Sequence, residues 1–229
     1  MRLLLIRHGQ TPANVLGQLD TAHPGPGLTA LGARQAAAIP DALRSEPIGA
    51  LFASTLVRTQ LTAGPLARGR GLDIQVRTGL HEIEAGDLEL RSDDVAIRAY
   101  LETVFAWGSG DLDIAMPGGP TGHDFFGRFN ADLGEIAASG VGVAAVVSHG
   151  AAIRVWVAAN AMNVSPQFSA ENQLDNTGVV IVDGSFEQGW SLTRWADQPI
   201  GGPVLVDATA EDPTGETLGE ARAEERRAQ

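Results

Sequence analysis

The chain contains no cysteine, and all sixteen of its basic residues are arginine, so it has no lysine either. Without a thiol there is no disulfide, no thiolate metal site and no cysteine nucleophile. Without a side-chain amine there is no Schiff base and no phosphate-loop lysine of the NTPase kind. Nucleophilic work therefore falls to His, Ser, Thr, Asp or Glu. The apolar runs are too short for a signal-peptide core or a membrane span, so the protein is expected in the cytoplasm with no membrane partner.

Positive charge is also scarce. Sixteen basic against 28 acidic residues give a formal charge of −12, which opposes any broad nucleic-acid-binding surface. An anionic ligand must then be held by a local cluster of arginines and not by the global field. At 229 residues, 44% of them hydrophobic, the chain is long enough to bury one good core. One domain is expected over residues 1–206. From Asp207 onward the sequence turns to Ala, Glu, Arg, Gly and Thr, and residues 207–229 are expected to form an acidic, disordered tail. No long apolar stripe announces an oligomer interface.

Strand-like and helix-like segments alternate, the pattern of a three-layer α/β/α sandwich with a mostly parallel central sheet. Apolar segments at Leu3–Ile6, Ala50–Ala53, Leu72–Val76 and Val143–Val147 read as strands, as do Gly178–Val182 and Trp190–Trp195. Thr29 is placed to cap a helix running to about Arg44 that Pro40 kinks or interrupts, and Ser54 to cap the helix carrying Arg58. A small helical lid insertion is expected over about 86–140. It would hold helices near 93–107 and 122–138, the second opened by a Thr121/Asp124 capping box. Tyr100, Phe105, Trp107, Phe125 and Phe126 fall at helical spacing and read as packing for that lid.

Two short runs carry the chemistry. Arg7-His8-Gly9 follows the first strand and Ser148-His149-Gly150 follows the strand at 143–147. Each sets a histidine at the carboxyl end of a buried strand, the edge where open α/β sheets bind ligands. The first run continues as Gln10-Thr11, with Asn14 beyond it. In order along the chain come Leu28-Thr29-Ala30-Leu31-Gly32, Ser54-Thr55-Leu56-Val57-Arg58-Thr59, Leu80-His81-Glu82 and Val147-Ser148-His149-Gly150. Together these five ordered blocks resemble the histidine phosphatase superfamily, the phosphoglycerate-mutase-like proteins.

The resemblance implies that His8 attacks phosphorus to form a phosphohistidine and that His149 completes a cationic cradle. It also implies that Glu82 gives the leaving group its proton and later activates water, with Glu84 in reserve. Phosphoryl transfer needs the charge on three oxygens held while attacking and leaving groups line up. Arg7 and Arg58 are the candidates for that work, because a guanidinium fork matches phosphate oxygens bidentately and stays charged. Thr11, Asn14 and Gly150 are further candidate phosphate contacts. His8 must be neutral at its attacking nitrogen, with the other nitrogen donating to a backbone carbonyl. His149, beside phosphate, should favour its charged form, and a phosphate dianion should raise Glu82. No metal or cofactor is expected, since the arginines and His149 hold the charge.

The implied activity is hydrolysis of a small phosphorylated metabolite. A phosphoglycerate mutase is the alternative, although residues 83–120 hold only Arg91 and Arg98 among many acids where mutases grip a substrate carboxylate. A catalytically dead phosphoryl-ligand or partner-binding module is the third reading. Gln10 stands where the family has Glu, Asp87-Leu88-Glu89 where many members have an aromatic, and Gly118-Gly119-Pro120-Thr121 where Gly-Gly-Glu-Ser is usual. These departures bear on substrate choice more than on catalysis. His23, His81 and His123 match no family position and read as loop or surface residues.

Overall fold

A computed structural model describes residues 1–210 and 212–215. Its elements, in order, are β1 (Arg2–Arg7), α1 (Pro12–Val15), α2 (Ala30–Ala42), β2 (Ala50–Ser54), α3 (Val57–Arg70), β3 (Ile74–Arg77), α4 (Asp94–Gly108), α5 (Gly122–Ala138), β4 (Val143–Ser148), α6 (Gly150–Asn160), α7 (Phe168–Glu171), β5 (Val179–Ser185) and β6 (Gly189–Ala196). The six strands form one sheet in the order β3-β2-β4-β1-β5-β6. β3, β2, β4 and β1 run parallel, and β5 and β6 complete the sheet antiparallel.

The apolar strands are buried on both faces, and alternate residues serve two separate cores. Leu3 and Leu5 of β1, with Phe52, Ala144 and Val146, pack under α4, α5 and α6. Leu4 and Ile6, with Leu51, Ala53, Ala145 and Val147, pack under α2 and α3. Helices thus cover both faces, which is the expected three-layer sandwich. Leu3, Leu4, Leu5 and Ile6 are fully buried, worth roughly 1.5–3 kcal/mol each relative to exposure. That burial anchors β1, and with it the position of the residues that leave its end.

Local chemistry explains the helix starts. Thr29 Oγ1 accepts from the Gly32 N–H, and Thr121 and Asp124 form a full capping box at the head of α5. Pro40 neither stops nor interrupts α2, which runs two residues past it to Ala42. Tyr100, Phe105, Trp107, Phe125 and Phe126 are buried in the first core, and Phe129 and Trp156 extend their aromatic cluster. No helix among the described residues is long and apolar enough to cross a membrane.

The expectation for residues 207–229 divides. Residues 211 and 216–229 lie outside the described residues. The part that is described has structure and partners: Asp207 accepts from Gln10, and residues 212–215 form a turn closed by the Gly215 N–H on the Asp212 carbonyl. The turn is held from outside by the Leu174 N–H on the Gly215 carbonyl and by Arg154 on the Thr214 carbonyl.

Candidate active site

β1 and β4 are parallel neighbours, and their last residues, Arg7 and Ser148, are register partners. The next residue of each strand is a histidine. The sheet therefore brings His8 and His149 together across 141 positions of sequence, with ring centroids 5.2 Å apart in an edge-on arrangement. The His8 N–H continues the ladder by donating to the Ser148 carbonyl at 3.0 Å.

His8 Nδ1 lies 2.8 Å from the Gly9 carbonyl, and a carbonyl can only accept. Nδ1 thus carries the proton and Nε2 the lone pair. Burial, then the charges of Arg58 and Arg7, holds His8 well below the usual 6.5. The imidazole is a neutral base over the physiological range. Burial, then the charges of Arg58 and His8, pushes His149 well below 6.5 as well. Its Nε2 bonds Ser54 Oγ at 2.8 Å, while its buried Nδ1 has no partner among the described residues.

That bond corrects the role expected for Ser54. The residue preceding α3 is Leu56, which caps nothing with its side chain. Ser54 Oγ accepts from the Leu56 N–H and bridges to Thr59 Oγ1 at 3.0 Å, making a hydroxyl relay behind His149.

His8, Thr11, Asn14, Arg58 and Glu82 line one narrow cavity, whose remaining wall includes Asp20 and Thr214. Arg7, His149 and Gly150 are buried beside that lining. Thr11 caps α1 and exchanges bonds with Asn14 in a capping box, so its polar groups are engaged locally. Arg58 reaches from α3 to the Asp20 carbonyl at 2.8 Å and to the Asp20 carboxylate at 3.4 Å. Burial lowers its guanidinium and raises Asp20.

Glu82 is almost wholly buried, and three backbone N–H groups converge on its carboxylate. Ile83 and Ala152 donate to Oε1 at 2.9 Å, and Ala151 donates to Oε2 at 3.2 Å. The last two belong to the first turn of α6, where free N–H groups and the helix dipole favour negative charge. Burial outweighs these donors and raises Glu82 above 4.5. Glu84 points elsewhere, to His81 at 2.7 Å and Arg128 at 3.1 Å, and does not line the cavity. Burial opposes its ionisation, but these two partners bring it down to about 2.

Arg7 has a partner that sequence reasoning missed. Its Nη2 donates to Asp212 at 2.6 Å and to Thr214 Oγ1 at 2.9 Å, and its Nη1 donates to the Leu174 carbonyl at 2.6 Å. Asn14 Nδ2 donates to the same Asp212 oxygen at 2.9 Å. A carboxylate of the chain itself thus rests on two of the candidate phosphate ligands. Gly150 is required by that approach, because a Cβ there would lie 2.5 Å from the Thr214 carbonyl and 2.9 Å from Arg7 Nε. Gln10 faces away, linking Thr29 and Asp207; a glutamate there would set two carboxylates together.

Asp20, Arg128 and Asp212 carry no local signal. Asp20 sits in a loop, Arg128 on a helix, and Asp212 in a stretch too poor in apolar residues to suggest order. His23 and His123 are exposed, as expected, and His123 pairs with exposed Asp113. Among the described residues no group of three or more acidic or histidine side chains is gathered as metal ligands would be.

Two histidines at the carboxyl edge of parallel neighbouring strands, two buried arginines and a buried glutamate are thus gathered at one place on the α/β sandwich. The family model of the histidine phosphatase superfamily (branch 1) matches residues 3–198, and the chain belongs to that superfamily. Among curated relatives, the PE-PGRS family protein PE_PGRS11 of Mycobacterium tuberculosis is 39% identical over 89% of this chain, which spans only 38% of that protein's length. The probable phosphoglycerate mutase GpmB of Salmonella choleraesuis is 28% identical over 93% of this chain and 98% of its own. Among solved structures, the mycobacterial glucosyl-3-phosphoglycerate phosphatase in complex with VO3 aligns with a TM-score of 0.72 at 26% identity, over 86% of this chain and 99% of that one. A putative alpha-ribazole-5'-P phosphatase from Escherichia coli aligns with a TM-score of 0.69 at 25% identity, over 87% and 97%. The protein is therefore a superfamily enzyme of the phosphatase or mutase-like kind.

Proposed function

We propose that the protein hydrolyses a small phosphate monoester through a phosphohistidine on His8. The observation that carries this reading is the neutral, carbonyl-anchored His8 ring, 5.2 Å from His149 in a cavity shared with Arg58 and Glu82. The free Nε2 lone pair attacks phosphorus as the ester P–O bond breaks, and the leaving alkoxide takes the proton of Glu82. The carboxylate so formed is received by the N–H groups of Ile83, Ala151 and Ala152. It then removes a proton from the water that attacks the phosphohistidine, releasing phosphate and regenerating both groups. Arg7, Arg58, Asn14 and His149 hold the phosphoryl oxygens, with Thr11 and the Gly150 N–H at the rim. The phosphoryl group displaces Asp212 from Arg7 and Asn14 as it enters.

Hydrolysis is favoured over mutase transfer by the cavity wall. Among the described residues Arg58 is the sole arginine lining the cavity, and it already faces Asp20, which leaves no such guanidinium for a glycerate carboxylate. The structural relatives, by name a glucosyl-3-phosphoglycerate phosphatase and a putative alpha-ribazole-5'-P phosphatase, support a small phosphorylated metabolite as the substrate. No metal or cofactor takes part in the proposed steps.

The test is phosphate release from a panel of sugar phosphates, glycerate phosphates and nucleotides by wild type and His8→Ala, with isolation of an acid-labile, base-stable phosphoryl adduct. Release by wild type alone is expected. Mutase turnover above phosphate release would move the assignment to transferase, and equal inertness of the two proteins would leave a binding module.

A further inference from the structure

The segment that carries Glu82 is fastened in an unusual way. It is not a helix or strand: it leaves a single 3-10 turn at Thr78–Leu80 and continues extended from His81. Yet every backbone carbonyl from residue 79 to residue 83 accepts a bond from a side chain of another element. Arg128 donates to Gly79 and His81 at 2.8 Å and to Glu82 at 2.7 Å. Ser148 donates to Leu80 at 2.8 Å and Tyr100 to Ile83 at 3.0 Å.

Three of these five carbonyls belong to one guanidinium. Arg128 comes from α5, lies over the Phe125 ring at 5.3 Å, and meets Glu84 with its remaining reach. A planar fork with five fixed donors suits three carbonyls of one bend, where an ammonium offers a single point. Arg128 is not among the residues that line the cavity, and it meets Glu82, which is, only at the backbone carbonyl. Its bonds go to the backbone on both sides of the Glu82 Cα.

We infer that Arg128 is the positioning residue of the proton donor: it fixes the backbone from which the Glu82 carboxylate reaches the leaving-group oxygen. This rests on the proposed role of Glu82. Proton transfer demands that the acid stand within hydrogen-bond reach of the departing oxygen, so a small displacement costs rate while leaving phosphate binding intact. Glu84 balances the guanidinium, so that Arg128 serves by geometry and not as a bare charge facing the acid. The helix pair α4 and α5 is thereby tied to catalysis through Tyr100 and Arg128, although none of its side chains lines the cavity.

The experiment compares an alkyl phosphate, whose leaving group needs a proton, with p-nitrophenyl phosphate, whose leaving group does not. Arg128→Lys and Arg128→Met are expected to lower kcat/KM on the alkyl ester, which reports formation of the phosphohistidine and not its hydrolysis, by about 10- to 100-fold, with kcat/KM on p-nitrophenyl phosphate and the inhibition constant of inorganic phosphate within about threefold. Glu82→Gln should show the same split in kcat/KM, with kcat lowered on both esters because the carboxylate also activates the hydrolytic water, and Glu82→Gln/Arg128→Lys should lose no more kcat/KM than Glu82→Gln alone. Equal losses of kcat/KM on both esters, or none on the alkyl ester, would overturn the inference. If Arg128→Met does not fold, Arg128→Lys and Tyr100→Phe carry the test.

The parent reading fails separately, if Glu82→Gln itself shows no split. A readout free of turnover stands beside the kinetics: the carbon-13 resonance of the Glu82 carboxyl, assigned by its loss in Glu82→Gln, should titrate differently in Arg128→Lys. An unchanged resonance and titration would refute the positioning role even in a protein without activity.

Discussion

Replacing Asp212 by asparagine should make the protein bind phosphate more tightly. Asp212 places one carboxylate on Arg7 at 2.6 Å and on Asn14 at 2.9 Å, with the arginine fully buried and the aspartate side chain 15% exposed. A hydrogen bond to a charged partner contributes about 1.5–3 kcal/mol, and a neutral one about 0.5–1.5. The amide of Asp212→Asn keeps the shape and one acceptor, so the substitution removes on the order of 1–1.5 kcal/mol of competition, about a five- to tenfold fall in the inhibition constant of inorganic phosphate or vanadate. KM for an ester should fall in step while kcat changes less than about twofold, since uniform binding is altered and not the transition state alone. Without ligand the variant should unfold earlier, because a buried guanidinium has lost its counter-ion. Saturating phosphate should then raise its Tm by more than it raises that of wild type. A higher KM, or equal phosphate-induced shifts in Tm, would refute the reasoning and make Asp212 a support that orients Arg7.

Four further outcomes are expected. Glu82 is raised above 4.5 by burial, so turnover of alkyl phosphates should persist above the ordinary carboxylate range and decline as pH rises through the elevated value; Glu82→Gln should abolish that alkaline limb in a kcat profile. His8 titrates well below 6.5, so the acid limb should lie below that pH. Glu84 is held at about 2 against an ordinary 4.5; its contribution to stability is complete above 4.5 and is lost as pH falls toward 2. Acid unfolding of Glu84→Gln, followed by circular dichroism, should lack that portion of the wild-type decline. Gly150→Ala would press a Cβ against the Thr214 carbonyl and Arg7 Nε. It should lower kcat/KM at least about tenfold through misplaced Arg7, at a stability cost of about 1–3 kcal/mol for overpacking.

What could be read from the sequence is what local rules decide. The continuous apolar runs at Leu3–Ile6 and Val143–Val147 require cover on both faces, and the two cores supply it. Thr29 and the Thr121/Asp124 pair act within one helical turn, and both cap as their spacing demands. Ser54 was equally well placed to cap α3, but its partner His149 lies 95 positions away and no local rule sees it. Asp212 is hidden for a related reason: apolar content measures whether a segment can build its own core, and residues 212–215 are held by polar contacts to groups already buried. Arg128 resembles any helix arginine until the bend at 79–83 is folded against it. Glu82 and Glu84 lie two positions apart in an extended segment, and only the path of that segment turns one inward and the other toward His81 and Arg128.

On the proposed reading, a chain of charge −12 takes up a phosphate dianion and must overcome its own field. Its answer lies in where the arginines are kept. Arg7, Arg58 and Arg128 each meet one acid partner, Asp212, Asp20 and Glu84 respectively. Exposed pairs of this kind would contribute little, being screened by water and salt. Arg7 and Arg58 are buried, where the effective dielectric is lower and a Coulomb interaction over a few ångströms outweighs the diffuse repulsion of distant surface acids. Burial without a counter-charge would be costly, so the resting site holds its guanidiniums against carboxylates. The proposed exchange of the single charge of Asp212 for the double charge of a phosphoryl group would strengthen the interaction with Arg7 and Arg58 together and return the carboxylate to water. Arg128 takes no part in that exchange, because its partner Glu84 lies outside the cavity and stays in place. The two roles proposed for these arginines, holding the phosphoryl group and aiming the acid, thus draw on separate ion pairs, and one can be weakened without the other.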